Sequence, residues 1–431
     1  MAPSTTYPDD LLAGTHAAAL YLELDREIDV RLGTDLGFDA LVGVRPWEMD
    51  EEGVDGFRTR YDRIKTFQEE ALDLFRASLR GDCDPNIARM VVADLPEVFG
   101  TSYHARLSDR QIRTPVFFRT DEAAPGRLTE VQCSGSGWGI AELLRHVYAA
   151  NPELYGTPKY FSESLAASFS ATLRRLLDRE PVVHHLVDNA SRPHGVRYFI
   201  QRTRGEGLRY FSYDRNIHPN DCNFVRSHDF VSLLHHNFFA ERMERCDTGE
   251  VFFDLPPCAL FDCKLITAWP FWSRTRKHFS DGTRELFPHT TVITPEGVEM
   301  PRGERISLET FLSIPIRKRL YYIKYAGTDI GINWGSRAVY LASAMSGRQC
   351  GRMLERVARD WHRGRSWILQ KAVRSKERIA SVTREGEVVE EKAYAKWSGY
   401  YGPDGLMAIV LFHKHYPKVN GSGDTVVSLV Y

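Results

Sequence analysis

The chain has 431 residues and a mass of 49.3 kDa, too long for one ordinary hydrophobic core, so two or three structural units with clefts between them are expected. Hydrophobic residues at 43% and charged residues at 26% are the balance of a globular chain, which excludes a disordered one. A formal net charge of −1 excludes a global field that would recruit nucleic acid or an anionic membrane, so any anion site must be local.

No stretch approaches the roughly 18 apolar residues of a membrane span. The start, MAPSTTYPDDLLAG, has no basic region followed by an apolar run, and a cytoplasmic location is expected. The cysteines, at positions 83, 133, 222, 246, 258, 263 and 350, are odd in number and form no CxxC pair, so reduced thiols are expected. The tandem pairs His184/His185 and His235/His236 do not favour a metal site, because adjacent residues on a helix or strand do not share a face.

In chain order, residues 1–112 read as a mainly helical region. Its clearest piece is Gly56 to Arg80, where Phe57, Tyr61, Ile64, Phe67, Ala71, Leu74 and Phe75 recur at helical spacing before the stop at Gly81-Asp82. Residues 113–270 read as an α/β region. It opens with the extended runs TPVFFRTD and RLTEVQCS, then the loop GSGWG and a helix from Ile140 to Ala150. A second helix over 162–179 precedes the short apolar runs PVVHHLVD, VRYFIQR and LRYFSYD, an open α/β layer. Residues 271–431 carry the strand RLYYIKYAG, the loop TDIGINWGSR, a strand AVYLA, a helix near 347–362, the run WILQKAV and hairpin-like strands from about 386. The fold class is α/β (α+β).

Three features in this order bear on chemistry. In FFRTDEAAPGRLTEVQC the Pro125-Gly126 turn pairs Asp121 with Glu130 and Arg119 with Gln132, with all four side chains on one face. Two carboxylates that face each other want a positive partner between them. A magnesium ion, which takes oxygen ligands and shares them with substrate phosphates, suits the pair; the other reading is a solvated tip with Arg119 neutralising both acids.

Second, Lys324 stands in an alternating strand followed by Gly327, Gly331, Gly335 and Ser336, a workable polyphosphate grip, or an exposed edge lysine beside a loop. Neither Lys324 nor Glu130 is expected in the core. Third, the loop Gly135 to Gly139 matches neither GxGxxG nor GxSxG, but lets backbone approach a substrate at a helix N-terminus. Cys133 beside it is either a thiol nucleophile or a small buried side chain.

In order, these blocks resemble the ATP-grasp enzymes related to glutathionylspermidine synthase, whose synthetase domain carries RxD, ExN, a lysine, and a lysine with a glycine loop. Arg119-Thr-Asp121 is similar to the RxD and Glu130-Val-Gln132 to the ExN. WSRTRKHFSDGTRELFP resembles the block that would make Lys277 the first nucleotide lysine, and Lys324 resembles the second. WILQKAV is similar to the segment in which Gln370 would meet the adenine. The likeness spans about residues 114–375. Gln132 replaces the expected asparagine, the gap between the first two motifs is shorter, and the late arginine has no counterpart in MAIVLFHKHYPKVNGSGD, where His413, Lys414 and Lys418 are the basic residues. No amidase domain is expected in a chain of synthetase size.

The resemblance implies an ATP-grasp fold and an ATP-dependent carboxylate-amine ligase acting through an acyl phosphate. Asp121, Glu130 and Gln132 would hold magnesium, Lys277 and Lys324 would line the triphosphate, and Gly331, Gly335 and Ser336 would cover it. Arg119 would hold the transferring phosphate. The partners would be a small carboxylate and an amine of identity not given by the sequence, with no nucleic acid or membrane. The alternatives are a catalytically inactive protein of the same fold that binds nucleotide or a small acid, and a thiol amidase built on Cys133.

Overall fold

The computed structural model describes residues 41–133, 137–150, 152–186, 194–212, 221–227, 229–234, 238–329, 332, 338–382, 388–419 and 425–431. The expected helical content of residues 1–40 and the expectations for Gly331, Gly335, Ser336 and His235/His236 lie outside these residues.

Helix α1 (Glu51–Arg80) is the longest helix among the described residues. Asp50 caps it by accepting from the Gly53 N–H at 2.8 Å, and Gly81, at φ 82°, turns the chain out of it. Its apolar stripe, from Val54 and Phe57 to Leu74 and Phe75, is fully buried. Each such side chain contributes about 1.5–3 kcal/mol on burial.

That stripe lies on a seven-stranded sheet with the order β1-β17-β16-β15-β2-β3, on which β14 also pairs with β15. Its strands are β1 (Leu41–Val42), β2 (Phe118–Ala124), β3 (Arg127–Gln132), β14 (Ser375–Val382), β15 (Val388–Gly402), β16 (Gly405–Lys414) and β17 (Val426–Leu429). All pairs are antiparallel except β1 with β17. The sheet therefore draws strands from each of the three segments that the sequence suggests. Along β15, Trp397 and Tyr401 point to α1, whose Tyr61 stacks on Tyr401 and Phe118. The alternate residues Lys396, Ser398 and Tyr400 point to the other face.

On that other face lie α2 (Trp138–Ala149), α3 (Leu165–Leu177) and α4 (His194–Gly205), packed on Ala408, Val410, Phe412, Val427 and Leu429. The run VRYFIQR, expected among the extended runs, is part of α4: Val196, Phe199, Ile200 and Thr203 recur at helical spacing and all are buried. It is the crossover between parallel strands β4 (Val182–Leu186) and β5 (Arg209–Ser212), in a sheet of order β5-β4-β6-β7 with β6 (Phe224–Ser227) and β7 (Phe252–Phe253). Arg226 of β6, fully buried, pairs with Asp254 at 3.1 Å and lies 4.5 Å from the ring of Trp138, which anchors the start of α2.

A further antiparallel sheet has the order β12-β11-β13-β8, with β8 (Thr290–Val292), β11 (Tyr321–Tyr325), β12 (Val339–Leu341) and β13 (Trp367–Lys371). Strands β9 (Val298–Glu299) and β10 (Arg305–Ile306) form a ribbon beside it. One face, with Tyr321, Ile323, Tyr325, Trp367 and Leu369, is sealed by helix α5 (Gly347–His362) through Cys350, Met353, Leu354 and Val357. The opposite face carries Lys324, Ile368 and Gln370 toward the β2-β3 hairpin. No helix among the described residues is long and apolar enough to cross a membrane.

Candidate functional site

The hairpin has the register that its turn predicts. Asp121 pairs with Glu130 and Arg119 with Gln132, and Gly126 at φ 78° supplies the positive φ that a turn with proline first and glycine second requires. Bulges nearer the tip leave Thr129 unpaired in the ladder, and its hydroxyl donates to the Asp121 carbonyl at 3.0 Å.

Asp121 is 4% exposed, and both of its carboxylate oxygens are occupied. Oδ1 accepts from Arg119 Nε at 3.1 Å and from Ser398 Oγ at 2.7 Å; Oδ2 accepts from Arg119 Nη2 at 3.3 Å and from Lys396 Nζ at 2.8 Å. Burial alone would raise its pKa, but the charges of Arg119 and then Lys396 outweigh it and hold the carboxyl well below the usual range. Ser398 is directly opposite Asp121 across the β15-β2 ladder, so the strand register itself delivers Ser398, and Lys396 two residues on.

Glu130, with a side chain 22% exposed, pairs with Lys264 Nζ at 3.2 Å. Lys264 begins a short 3-10 turn, Lys264–Ala268, that rests on β3, β8 and β13. Burial and then the charge of Asp229 push the carboxyl of Asp262 beside it well above the usual carboxylate range.

Lys324 is 8% exposed, contrary to the expectation that it lies outside the core, because the hairpin closes over the strand that bears it. Its ammonium group donates to Gln370 Oε1 at 2.6 Å and reaches the Thr129 carbonyl at 3.5 Å. Burial, with Lys264 and Lys396 against Glu130 and Asp121, lowers its pKa to about 8. Gln370 is fully buried; its amide nitrogen donates to Thr290 Oγ1 at 3.1 Å, so the side chain holds Lys324 in place.

The structure thus brings together Arg119, Asp121, Glu130, Gln132, Lys324 and Gln370. It adds Lys264, Lys396 and Ser398, which the sequence reading missed. Lys277 stands apart: it is exposed on the turn Arg276–His278, where its charge is felt by Cys83 and His278. Of the late basic residues, His413 is buried against Trp47 on the α1 side of the sheet, whereas Lys414 alternates to the side of Lys396.

Gly137, at φ 82°, precedes α2 and covers this cluster. A Cβ there would lie 2.5 Å from Arg119 Nη1 and 2.8 Å from the Tyr400 hydroxyl, so glycine is what lets the helix start approach the guanidinium. Ser134 to Ser136 lie outside the described residues. Cys133 is fully enclosed, its thiol pushed well up by burial, with Gln68 Nε2 at 3.8 Å as a partner, which is the environment of an inert thiol.

Beside the hairpin tip, a cleft of about 650 Å³ is lined by Arg127, Phe271, Phe287, His289, Lys371 and Val373. Arg119, Lys264, Lys324 and Lys396 against Asp121 and Glu130 leave two positive charges over, in a chain that is close to neutral as a whole. Such a partly dry cluster attracts an anion. Among the described residues, no group of three or more His, Cys, Asp or Glu side chains is arranged to hold a metal ion.

The mixed helix-and-sheet architecture is of the α+β kind and is similar to that of a glutathione synthetase-like structure. In particular, the chain is similar to the structure of a glutathione synthetase-like effector from Globodera pallida in its apo form, with a TM-score of 0.53, 12% identity and 96% of each chain covered. At that identity the likeness speaks for the fold alone. No protein-family model matches the sequence, and no curated protein matches it.

Proposed function

We propose that this chain is an ATP-dependent carboxylate-amine ligase of the ATP-grasp kind, which forms an acyl phosphate and releases ADP and phosphate. The observation that carries this reading is the convergence of Arg119, Lys264, Lys324 and Lys396 on one pair of facing acids, from strands and a turn far apart along the chain. Phosphoryl transfer asks mainly for positioning and for charge stabilisation, which such a cluster supplies. The triphosphate would lie along Lys264, Lys324 and Lys396, and the adenine in the cleft beside Phe287, His289 and Lys371. Lys264 is a better first nucleotide lysine than Lys277, since it reaches the cluster.

Magnesium suits the oxygen donors of Glu130 and Gln132, with phosphate oxygens and waters as the remaining ligands. Asp121 contributes differently, since its oxygens orient Arg119 and Lys396. When bound, magnesium would neutralise charge on the phosphates. Arg119, fixed beneath Gly137, would hold the transferring phosphate as a substrate carboxylate attacks and ADP leaves. The amine then attacks the acyl carbon, loses a proton and expels phosphate.

The test is ADP release against panels of carboxylates and amines. Lys324→Met and Glu130→Ala are expected to abolish it, and wild-type rates in either variant overturn the assignment. Gln132 in place of asparagine and the occupied oxygens of Asp121 favour a second reading, a protein of this fold that binds nucleotide or a small acid without turnover. Nucleotide binding with no ADP release under any substrate pair would select it.

A further inference from the structure

The two facing acids are each taken by a lysine. Lys396 sits on Asp121 at 2.8 Å and Lys264 on Glu130 at 3.2 Å, and both lysine side chains are 14% exposed. Lys324 lies between the two systems, with its ammonium held by Gln370 and by the backbone next to Glu130. We infer that the site exchanges cations as it fills: the lysines occupy the carboxylates until a triphosphate draws them away, so a divalent ion binds together with the nucleotide and not before it. This rests on the nucleotide reading of the same site.

A divalent ion that enters alone must displace Lys264 from Glu130 and gives that ammonium no new anion, while Lys324 and Lys396 remain close by. Three ammonium groups and a dication would then share a half-buried space that already carries excess positive charge, where like charges interact far more strongly than in water. A triphosphate brings more negative charge than one divalent ion cancels. It gives each displaced ammonium an oxygen partner at the moment when Glu130 and Gln132 become available to the metal. The same exchange keeps the two acids from facing each other unneutralised at any stage, which would be destabilising.

Three further features fit this order of events. Glu130 is the more exposed of the two acids and has the looser partner, so it is the one opened first. Asp121, with four donors on two oxygens, keeps Arg119 and Ser398 when Lys396 leaves, so it is never without a cation. The Lys396 ammonium group lies 4.7 Å from the centre of the Phe412 ring, a cation-π contact that holds the head near the cluster when it lets go of Asp121.

The experiment is a manganese titration followed by electron paramagnetic resonance, on the full chain alone and with a non-hydrolysable ATP analogue, with the binary manganese-analogue complex subtracted. Analogue binding is also measured in the presence of a chelator. The wild-type protein is expected to bind manganese at least about tenfold more tightly with the analogue than alone. Lys264→Met is expected to gain about tenfold in affinity for manganese alone, and to lose affinity for the manganese-analogue complex. Equal manganese affinity with and without the analogue overturns the exchange while leaving the nucleotide reading intact. Absence of analogue binding in every arm removes the nucleotide reading and the exchange with it. The wild-type comparison decides the matter even where Lys264→Met does not fold.

Discussion

The buried ammonium group of Lys324 gives a measurable signature in the absence of any ligand. In the folded chain its pKa is about 8, against 10.5 for an unhindered lysine. The unfolded chain therefore holds more protons between these values, and the stability contributed at this position rises as pH rises through that window. Below about pH 8 the group is charged in both states and the full burial cost persists. At about 1.36 kcal/mol per pKa unit, the wild-type chain gains roughly 2–3 kcal/mol between pH 7 and pH 10 from this group alone. Lys324→Met removes the titration while keeping the length of the side chain. The loss of its hydrogen bond to Gln370 shifts the variant by a constant amount, which cancels when the two pH values are compared. The assay is urea denaturation of both proteins at pH 7 and at pH 10, and the expected result is that their stability difference moves by roughly 2–3 kcal/mol in favour of the wild type at the higher pH. A difference that stays within about 1 kcal/mol would show that Lys324 is well solvated, and the account of the site as a dry cationic cluster would fail.

Other predictions follow from the same geometry. Arg60→Met leaves Glu122, fully buried and otherwise bonded to Arg60 at 3.1 and 3.2 Å, without its cation, and is expected to cost about 3–5 kcal/mol in denaturant unfolding. Burial raises the pKa of Glu122 to about 7 from 4.5, so the deficit is largest above pH 7 and shrinks on acidification as the acid takes up a proton; a deficit that grows toward low pH contradicts this. Native-state titration with a thiol reagent should label Cys83 quickly and the six buried cysteines slowly, with Cys133 among the slow ones; fast modification of Cys133 would revive the nucleophile reading. Gly137→Ala places a side chain against Arg119 and Tyr400 in a left-handed backbone conformation, with an expected loss of about 1–3 kcal/mol in thermal or urea unfolding and weaker anion binding.

The elements that were legible in the sequence are those in which the local pattern and the tertiary contact agree. Gly56 to Arg80 has an apolar stripe that buries on one sheet, and the β2-β3 hairpin has a turn that sets its own register. The helix near 347–362 carries its start in Ser346, whose side chain and Gln349 cap it reciprocally. What was not legible depends on pairing at long range. Lys396 and Ser398 are ordinary residues of a strand until β15 is laid beside β2, and nothing within the strand announces that partner. Lys264 lies in a 3-10 turn with no periodicity to read, and Lys277, which has a helix and an ELFP run after it, drew the assignment instead. VRYFIQR is short enough for a strand, and its helical spacing becomes plain only with Thr203 included.

The position of β15 between β16 and β2 has a consequence for how the protein is made. Asp121 emerges from the ribosome well before its partners, since Lys396 and Ser398 follow it by 275 and 277 residues. Until they arrive, the β2 edge is an open strand whose acid has Arg119 alone for company. Contacts of such long separation close slowly, so the exposed edge is a point at which nascent chains can pair with one another. A chain released before residue 396 would lack the strand that completes the cluster, and would carry that open edge permanently.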